Sequence, residues 1–307
     1  NPSSFFATSS EDGLVVVRSC ADWKVVAEIQ FPEPVRHMQF SSGSQYLALG
    51  CDDANIYVSD TTSNWDLVAK IEFTAAISSV CFSGKNSERL AVGSVDGTLA
   101  FLLPQNGFDF AGEIEEYDSP VTSVDWSSEN LAVGREDGTV AVYDSAHVMD
   151  DIFESVADLQ RGAPVSAVSF GVSTRFLAIG DAEGLIGVYS AKGGWVLCHQ
   201  VEMDRSIACV EWCPLGRHLA YGDDTGSFVV IDTIFWSEIK EAETAMGPSE
   251  GKRGTPSSLA FSQDGRLLAF GRGESGCGIL DSTDNWSLIL NMLKDSHNGM
   301  GPSSTSS

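Results

Sequence analysis

The chain has 307 residues and a net charge of -25, from 43 acidic and 18 basic side chains. Charge of this sign repels phosphate groups, so we expect neither nucleic acid nor an anionic membrane as a partner, and basic partners are favoured. The sequence has no apolar run of about twenty residues, and its seven cysteines form no Cys-x-x-Cys pair, which favours free thiols and a cytoplasmic location without excluding the nucleus.

The predicted elements begin with three strands at residues 5–9, 13–18 and 24–31, the first two joined by Asp12-Gly13. An Asp-Gly pair makes a turn that accepts positive φ, so the β-rich runs around it predict a hairpin. A clearer copy is Leu90-Ala91-Val92-Gly93 followed by Asp96-Gly97. Apolar residues fill these runs without alternation, which predicts strands that are covered on both faces.

The hairpin repeats along the chain, with one alanine marking each copy. The markers are Ala7, Ala48, Ala91, Ala132, Ala178, Ala220 and Ala269, separated by 41, 43, 41, 46, 42 and 49 residues. A period in the low forties with about four short strands per unit is typical of a β-propeller blade. Such units bury their cores against one another, so we expect one domain.

Two further strands complete each predicted unit. An inner strand precedes the hairpin at residues 35–40, 77–82, 121–126, 165–170, 207–212 and 256–261. Small residues such as Ser79, Ser123 and Ala167 share one face of these strands, as expected where inner strands crowd a central axis. An outer strand follows the hairpin and opens with an aromatic residue: Trp23, Trp65, Phe108, Trp195 or Trp286. We expect these aromatic residues to pack between blades, and ligand platforms are the alternative.

The inner strands ending in Phe-Ser or Trp-Ser, the segment from Leu90 to Gly97 and the third strands ending in Asp resemble the WD-repeat family. The resemblance implies an all-β, seven-bladed β-propeller with four-stranded antiparallel blades. The sequence departs from the family where the third strands end. Tyr143-Asp144, Ile231-Asp232, Ser59-Asp60 and Leu280-Asp281 stand in place of Trp-Asp, and the Gly-His dipeptide is missing. We therefore expect rigidity from packing rather than from an Asp-His network.

The resemblance places a single propeller at residues 1–293, with a first blade that lacks its inner strand in sequence order. Residues 294–307 form a tail. Pro302-Ser303-Ser304 repeats Pro256-Ser257-Ser258, which suggests that the tail completes the first blade. The lack of large apolar residues near the end favours a disordered tail instead.

Two units are longer than the others. Residues 145–162 carry apolar side chains at helical spacing, which predicts a short amphipathic helix that replaces or precedes an outer strand. An ordinary strand after a longer turn is the alternative. Residues 244–256 contain Gly247-Pro248 and Gly251-Lys252-Arg253-Gly254, which indicate a mobile loop.

All turns between second and third strands emerge on one face of such a propeller, which we call the top face. Acidic residues are concentrated in these turns, and many serve turn geometry. Their summed field can also steer a basic peptide. The predicted partner-binding residues are Asp12, Asp52, Asp53, Arg135, Glu136, Asp181, Asp223, Asp224 and Arg272.

Three classes of function are compatible with these patterns. We favour a non-enzymatic scaffold that binds basic peptides or proteins on the acidic top face, without cofactor, metal or catalytic residues. The alternative is a homo-oligomeric assembly module, using the incomplete first blade or Ile152-Phe153, and the sequence leaves monomer and homodimer open. The third class, a metal-dependent propeller hydrolase, would need acids that point inward from the inner strands. There we expect Ser79, Ser123, Ala167, Cys209 and Ser258, with Arg36 and His37 as exceptions.

Overall fold

The structure is a computed structural model that describes residues 5–84, 87–111, 115–150, 154–171, 175–224, 226–243, 258–271 and 276–292. These residues form seven antiparallel sheets arranged as the blades of a ring. The predicted seven-bladed β-propeller is confirmed. The tail at residues 294–307, the loop at 244–256 and Ile152-Phe153 lie outside the described residues.

The strands follow the repeat in chain order. Blade 1 contains β1 (Phe5–Ser9), β2 (Leu14–Ser19) and β3 (Val25–Gln30). Blade 2 contains β4 (Val35–Phe40), β5 (Tyr46–Cys51), β6 (Asn55–Asp60) and β7 (Asp66–Glu72). Blade 3 contains β8 (Ile77–Phe82), β9 (Leu90–Ser94), β10 (Thr98–Leu103), β11 (Asp109–Phe110) and β12 (Glu115–Glu116). Blade 4 contains β13 (Val121–Trp126), β14 (Asn130–Arg135), β15 (Thr139–Asp144), the helix α1 (Ser145–Met149) and β16 (Ser155–Gln160).

The last three blades have four strands each. Blade 5 contains β17 (Val165–Phe170), β18 (Phe176–Asp181), β19 (Leu185–Ser190) and β20 (Val196–Glu202). Blade 6 contains β21 (Ile207–Trp212), β22 (His218–Asp223), β23 (Ser227–Asp232) and β24 (Ser237–Glu243). Blade 7 contains β25 (Leu259–Phe261), β26 (Leu267–Gly271), β27 (Cys277–Asp281) and β28 (Ser287–Met292).

Within each blade the strands pair in chain order, from the inner strand outward. Blade 1 has three described strands, in the order β1, β2 and β3, as the sequence predicts. In blade 3 the outer position is divided, because β11 and β12 both pair with β10. The long unit of blade 4 follows the first of the two predicted alternatives, since the helix α1 precedes the outer strand β16. No helix in the described part of the chain has the length and apolar character to cross a bilayer.

The glycine of the Leu-Ala-x-Gly repeat makes room for the next blade. A Cβ atom on Gly134 would lie 2.6 Å from Cγ1 of Val165, and one on Gly180 would lie 2.5 Å from Cγ2 of Ile207. Val165 and Ile207 are the first residues of the following inner strands. The alanine of the same motif is fully buried in blades 2 to 6. The motif is therefore explained by close packing between blades.

The aromatic residues that open the outer strands also pack between blades. Trp65 meets Phe5 of blade 1 with ring centroids 4.9 Å apart, and Phe108 meets Tyr46 of blade 2 at 5.1 Å. Each has a positive φ, 65° for Trp65 and 67° for Phe108, which turns the side chain inward. Trp236 of blade 6 holds the same position, with φ 52°, and stacks on His199 of blade 5. The predicted packing between blades is seen for Trp65, Phe108, Trp195 and Trp286, and Trp236 is added. The ring of Trp23 instead contacts Phe6 of its own blade, with centroids 6.4 Å apart.

Neighbouring inner strands are joined by side chains. Backbone N–H groups of Phe82, Trp126 and Phe170 donate to Gln39 Oε1 at 2.5 Å, Cys81 Sγ at 3.2 Å and Asp125 Oδ2 at 2.6 Å. Those of Trp212 and Phe261 donate to Ser169 Oγ at 3.1 Å and to the Glu211 carboxylate. The fifth residue of one inner strand thus accepts a hydrogen bond from the aromatic residue of the next. The side chains at this fifth position therefore join each blade to the next.

Candidate interaction surface

Two sets of loops build the top face: the hairpin turns between second and third strands, and the loops that lead from an outer strand to the next inner strand. Backbone hydrogen bonds join the two sets. The N–H of Asp52 donates to Pro34 O, and that of Glu136 to Pro120 O, both at 3.0 Å. In return the N–H of Arg161 donates to Gly138 O at 2.7 Å. Contacts of these two kinds recur in the described residues of blades 1 to 6, so there the acidic turns and the outer-to-inner loops form one surface.

The exposed side chains of this surface are predominantly acidic. Exposed carboxylates in the described turns and loops are Glu11, Asp12, Glu33, Asp52, Asp96, Asp118, Glu136, Asp137, Glu183, Asp204 and Asp224. The basic side chains in the same described segments are Arg36, Arg135, Arg161 and Arg205, of which Arg161 is buried. In the described part of this face, exposed carboxylates therefore outnumber arginines.

Several predicted residues also stabilise their own turns. Asp12 accepts a hydrogen bond from the Leu14 N–H at 3.2 Å. Asp53 accepts from the Tyr57 hydroxyl at 2.7 Å and the Asn55 N–H at 3.1 Å. Partial burial opposes ionisation of Asp53, but these hydrogen bonds together lower its pKa below the usual value. Asp53 is therefore negatively charged, and it also stabilises its own turn.

Asp52 forms an ion pair, and Arg135 lies over an aromatic ring. Oδ2 of Asp52 lies 2.9 Å from Nε of Arg36, and both side chains are partly exposed. The Arg135 guanidinium lies 4.5 Å from the ring centroid of Tyr117, an attractive cation–π distance. Glu136 and Asp224 are exposed, and their backbone N–H groups anchor the turns. Arg272 lies outside the described residues.

Asp181 and Asp223 differ from the other predicted residues because they are buried, with 1% and 4% of their surface exposed. Oδ2 of Asp181 contacts Nη2 of Arg161 at 2.8 Å and Nε at 3.1 Å. Its Oδ1 accepts from the N–H groups of Glu183 and Leu185. Asp223 accepts from the Ser227 N–H at 3.0 Å. Both side chains are buried and stabilise their turns, and direct contact of these two with a partner stays a prediction.

Sequence reasoning missed the acidic residues of the outer-to-inner loops on this face. Glu33, Asp118 and Asp204 lie in these loops and are exposed. The signal was present, since the loop after each outer strand must return to the same rim as the Asp-Gly turns. These three residues extend the acidic surface toward the inner strands.

Two further carboxylates, Asp125 and Glu211, lie on the inner strands β13 and β21 and are half-buried. Burial, reinforced by the charge of Asp125, raises the pKa of Glu211 to about 8. Burial also raises the pKa of Asp125. The sequence-based list of inward-facing residues omitted both, although Asp125 stands two positions after Ser123 on the same strand face.

These inner-strand acids do not form a recognisable metal centre. Among the described residues, no group of three or more His, Cys, Asp or Glu side chains is placed to hold a metal ion. Burial lowers the pKa of His37 on β4 to about 4, so this imidazole is neutral at pH 7. Asp125 and Glu211 each accept a backbone hydrogen bond across a blade boundary. Their described contacts are those of residues that join blades.

On the opposite face, which we call the bottom face, the aspartates that end the third strands are capped locally. Oδ2 of Asp281 lies 2.6 Å from Nη2 of Arg266, and Oδ2 of Asp232 lies 3.3 Å from Nε of Arg217. The hydrogen bond from Arg266 is the main cause that lowers the pKa of Asp281. Asp144 instead caps α1 by accepting from the Ala146 N–H at 2.8 Å. Each of these aspartates fixes a turn on the bottom face.

Comparison with known families agrees with this architecture. The family model described as "WD domain, G-beta repeat" matches residues 109–144, from the outer strand of blade 3 through the third strand of blade 4. A comparison with curated proteins finds no significant match. The matched repeat and the seven blades of the same design together support a WD-repeat β-propeller, a fold that typically serves as a protein-interaction scaffold.

Proposed function

We propose that this propeller is a non-enzymatic scaffold that binds a basic peptide, or a basic segment of a protein, on its acidic top face. The observation that carries the proposal is the concentration of exposed carboxylates in the turns and loops of that face, against few arginines. A single exposed ion pair contributes only about 0.2 to 1 kcal/mol. Many carboxylates on one surface act together, because their potentials add and raise the rate of encounter with a cation-rich partner.

The exposed acids of blades 4 to 6 form the part of the face best suited to this role. Glu136, Glu183 and Asp224 lie in the hairpin turns of three successive blades and are all exposed. Asp204 lies in the loop between blades 5 and 6 and extends the same arc. The buried Asp181 and Asp223 stabilise the turns that present these acids. An extended basic peptide running along the arc would meet a carboxylate at each blade.

The test measures binding of a fluorescent oligolysine peptide by anisotropy at several salt concentrations. The top-face variant Glu136→Gln, Glu183→Gln, Asp224→Asn removes three charges without removing an identified turn hydrogen bond. The matched control is Asp66→Asn, Asp109→Asn, Glu154→Gln. It removes three exposed charges at the starts of outer strands, on the opposite rim.

We expect the top-face variant to bind the peptide more weakly and with a shallower salt dependence, while the control stays close to wild type. Equal weakening in both variants would show that the peptide responds to net charge alone and would contradict the proposal. Unchanged binding in both would also contradict it.

A further inference from the structure

The bottom face of blade 6 carries an apolar cluster that the fold does not require. Leu215, Ile234 and Phe235 are the three most exposed large apolar side chains in the described residues, at 67%, 64% and 76%. Single exposed apolar residues are ordinary, but a group of them in neighbouring turns marks an interaction site. We call these three residues the blade 6 patch.

Hydrogen bonds between two turns hold the patch together. Leu215 lies in the turn between β21 and β22, and Ile234 and Phe235 lie in the turn between β23 and β24. Thr233 joins the two turns, because its N–H donates to Arg217 O at 2.9 Å and its hydroxyl to Gly216 O at 2.8 Å. The apolar side chains therefore lie on two turns that are hydrogen-bonded to each other.

A cleft of about 370 Å³ opens beside the patch, between blades 6 and 7. Phe235, Ile239 and Trp286 supply its apolar wall, and His218 and Asn285 line it as well. Its volume is in the range of sites that receive a large side chain or small ligand. The patch and the cleft thus offer a flat apolar contact next to a recess for one anchoring residue.

The equivalent turns of other blades show that the apolar residues are not dictated by the repeat. Thr61 of blade 2 and Ser282 of blade 7 make the same two turn-to-turn hydrogen bonds as Thr233. The two residues that follow them are Thr62 and Ser63 in blade 2, and Thr283 and Asp284 in blade 7. Gly43 and Asp264 stand where blade 6 has Leu215. The same backbone design is thus built with polar or small residues elsewhere.

Charges around the patch indicate the kind of partner. Arg217 and Arg266 are already paired with Asp232 and Asp281. Among the described residues, Glu238 lines the cleft and Asp264 and Asp284 lie in the adjoining turns of blade 7, and all three are acidic and exposed. A partner that covers the patch therefore gains from basic residues at its edges.

We propose that the blade 6 patch binds a basic amphipathic helix of a partner protein. The apolar stripe of the helix covers Leu215, Ile234 and Phe235, one large side chain enters the cleft, and Lys or Arg residues at its edges face Glu238 and Asp284. The patch is made of turn residues at the end of a blade, which suits the side-chain stripe of a helix better than strand addition. This site is separate from the top face and independent of its function.

The probe is a fluorescent peptide of leucine and lysine with leucines at helical spacing, compared with a peptide of the same composition in scrambled order. The patch variant is Leu215→Asn, Ile234→Thr, Phe235→Ser, which uses residues similar or identical to those of the equivalent turns and keeps the charge. The control variant is Val68→Thr, Val196→Thr, Leu197→Ser, which removes exposed apolar residues from outer strands. Phe235→Ser alone provides a second test, since this side chain is mostly exposed.

In physiological salt we expect the patterned peptide to bind wild type and the control alike, and the patch variant at least about tenfold more weakly. The top-face variant should retain most of this binding, which separates the two sites. The proposal would be overturned if the patterned peptide bound wild type, the patch variant and Phe235→Ser equally well. It would also be overturned if the scrambled peptide bound wild type as tightly as the patterned peptide does. A concentration-dependent dimer by light scattering, lost in the patch variant, would assign the patch to a second copy of the chain and also overturn it.

Discussion

Nη2 of Arg161 lies 2.8 Å from Oδ2 of Asp181, and both side chains are buried, at 6% and 1% exposure. The pair joins the loop before the inner strand β17 to the end of the second strand β18 of the same blade. Arg161 also donates to the Tyr189 hydroxyl at 3.0 Å, so the guanidinium connects three segments of blade 5. An acidic turn of the top face is thus positioned by an ion pair beneath it.

Removing Arg161 should destabilise the protein strongly, because Asp181 would remain as a buried carboxylate without its counter-ion. We expect Arg161→Met to lower the free energy of unfolding by about 3 to 5 kcal/mol, measured by urea denaturation. The exposed pair of Arg36 and Asp52 is the control, and Arg36→Met should cost about 1 kcal/mol or less. Similar losses in the two variants would refute the distinction between buried and exposed pairs.

The Leu-Ala-x-Gly motif makes a second prediction. A methyl group on Gly180 would overlap Cγ2 of Ile207 and approach Cγ2 of Val210 at 2.9 Å. Gly180→Ala should therefore lower the free energy of unfolding by about 1 to 3 kcal/mol through overpacking. Adding Ile207→Val should recover part of the loss, since it shortens the neighbouring side chain.

Gly162 is the matched control for Gly180. A Cβ atom there would have no other atom within 4 Å, and its backbone is outside the left-handed region. We expect Gly162→Ala to leave the stability unchanged or to raise it by up to about 1 kcal/mol. A loss at Gly162 as large as that at Gly180 would show that the packing argument is wrong.

Glu211 makes the stability depend on pH. Its pKa is raised from 4.5 in the unfolded chain to about 8 in the folded protein. A group with a raised folded pKa binds its proton more tightly when folded, so its stabilisation is lost as the pH rises through the folded value. We expect unfolding by urea to become easier between pH 6.5 and 8.5, with a smaller change in Glu211→Gln.

Between pH 6.5 and 8.5 the contribution of Glu211 is separate from those of His37 and the buried cysteines. The pKa of His37 is lowered to about 4 by burial, so its contribution changes below the unfolded value of 6.5. Burial raises the pKa of several cysteines above 9.0, so their contribution changes at higher pH. Identical pH profiles for wild type and Glu211→Gln would contradict the role assigned to Glu211.

Much of the fold could be predicted because local sequence patterns mark the strands and turns of each repeat. The Asp-Gly pairs located the hairpins, and the aromatic residues after a turn located the outer strands. The division of the outer strand into β11 and β12 was not predictable, since it depends on how residues 109–110 and 115–116 pair with β10. The helix at Ser145–Met149 was predicted only as one of two alternatives, because helical spacing and a strand shared the same apolar residues.

The candidate site was harder to predict because burial depends on partners distant in sequence. Asp181 and Glu183 stand two residues apart in one turn, yet Asp181 is buried and Glu183 is exposed. The difference comes from Arg161, whose side chain reaches Asp181 from the preceding loop. A turn motif predicts that a carboxylate is near the top face, but its direction is set by tertiary contacts.

The most direct test of the proposed function is zero-length cross-linking with a carbodiimide, which joins a carboxylate to a lysine amine only when the two are in contact. The oligolysine peptide is cross-linked to the wild-type protein at physiological salt, and the modified residues are identified by mass spectrometry. We predict cross-links at Glu136, Glu183 and Asp224. Cross-links concentrated at Asp66, Asp109 and Glu154, on the opposite rim, would contradict the assignment of the top face as the binding surface.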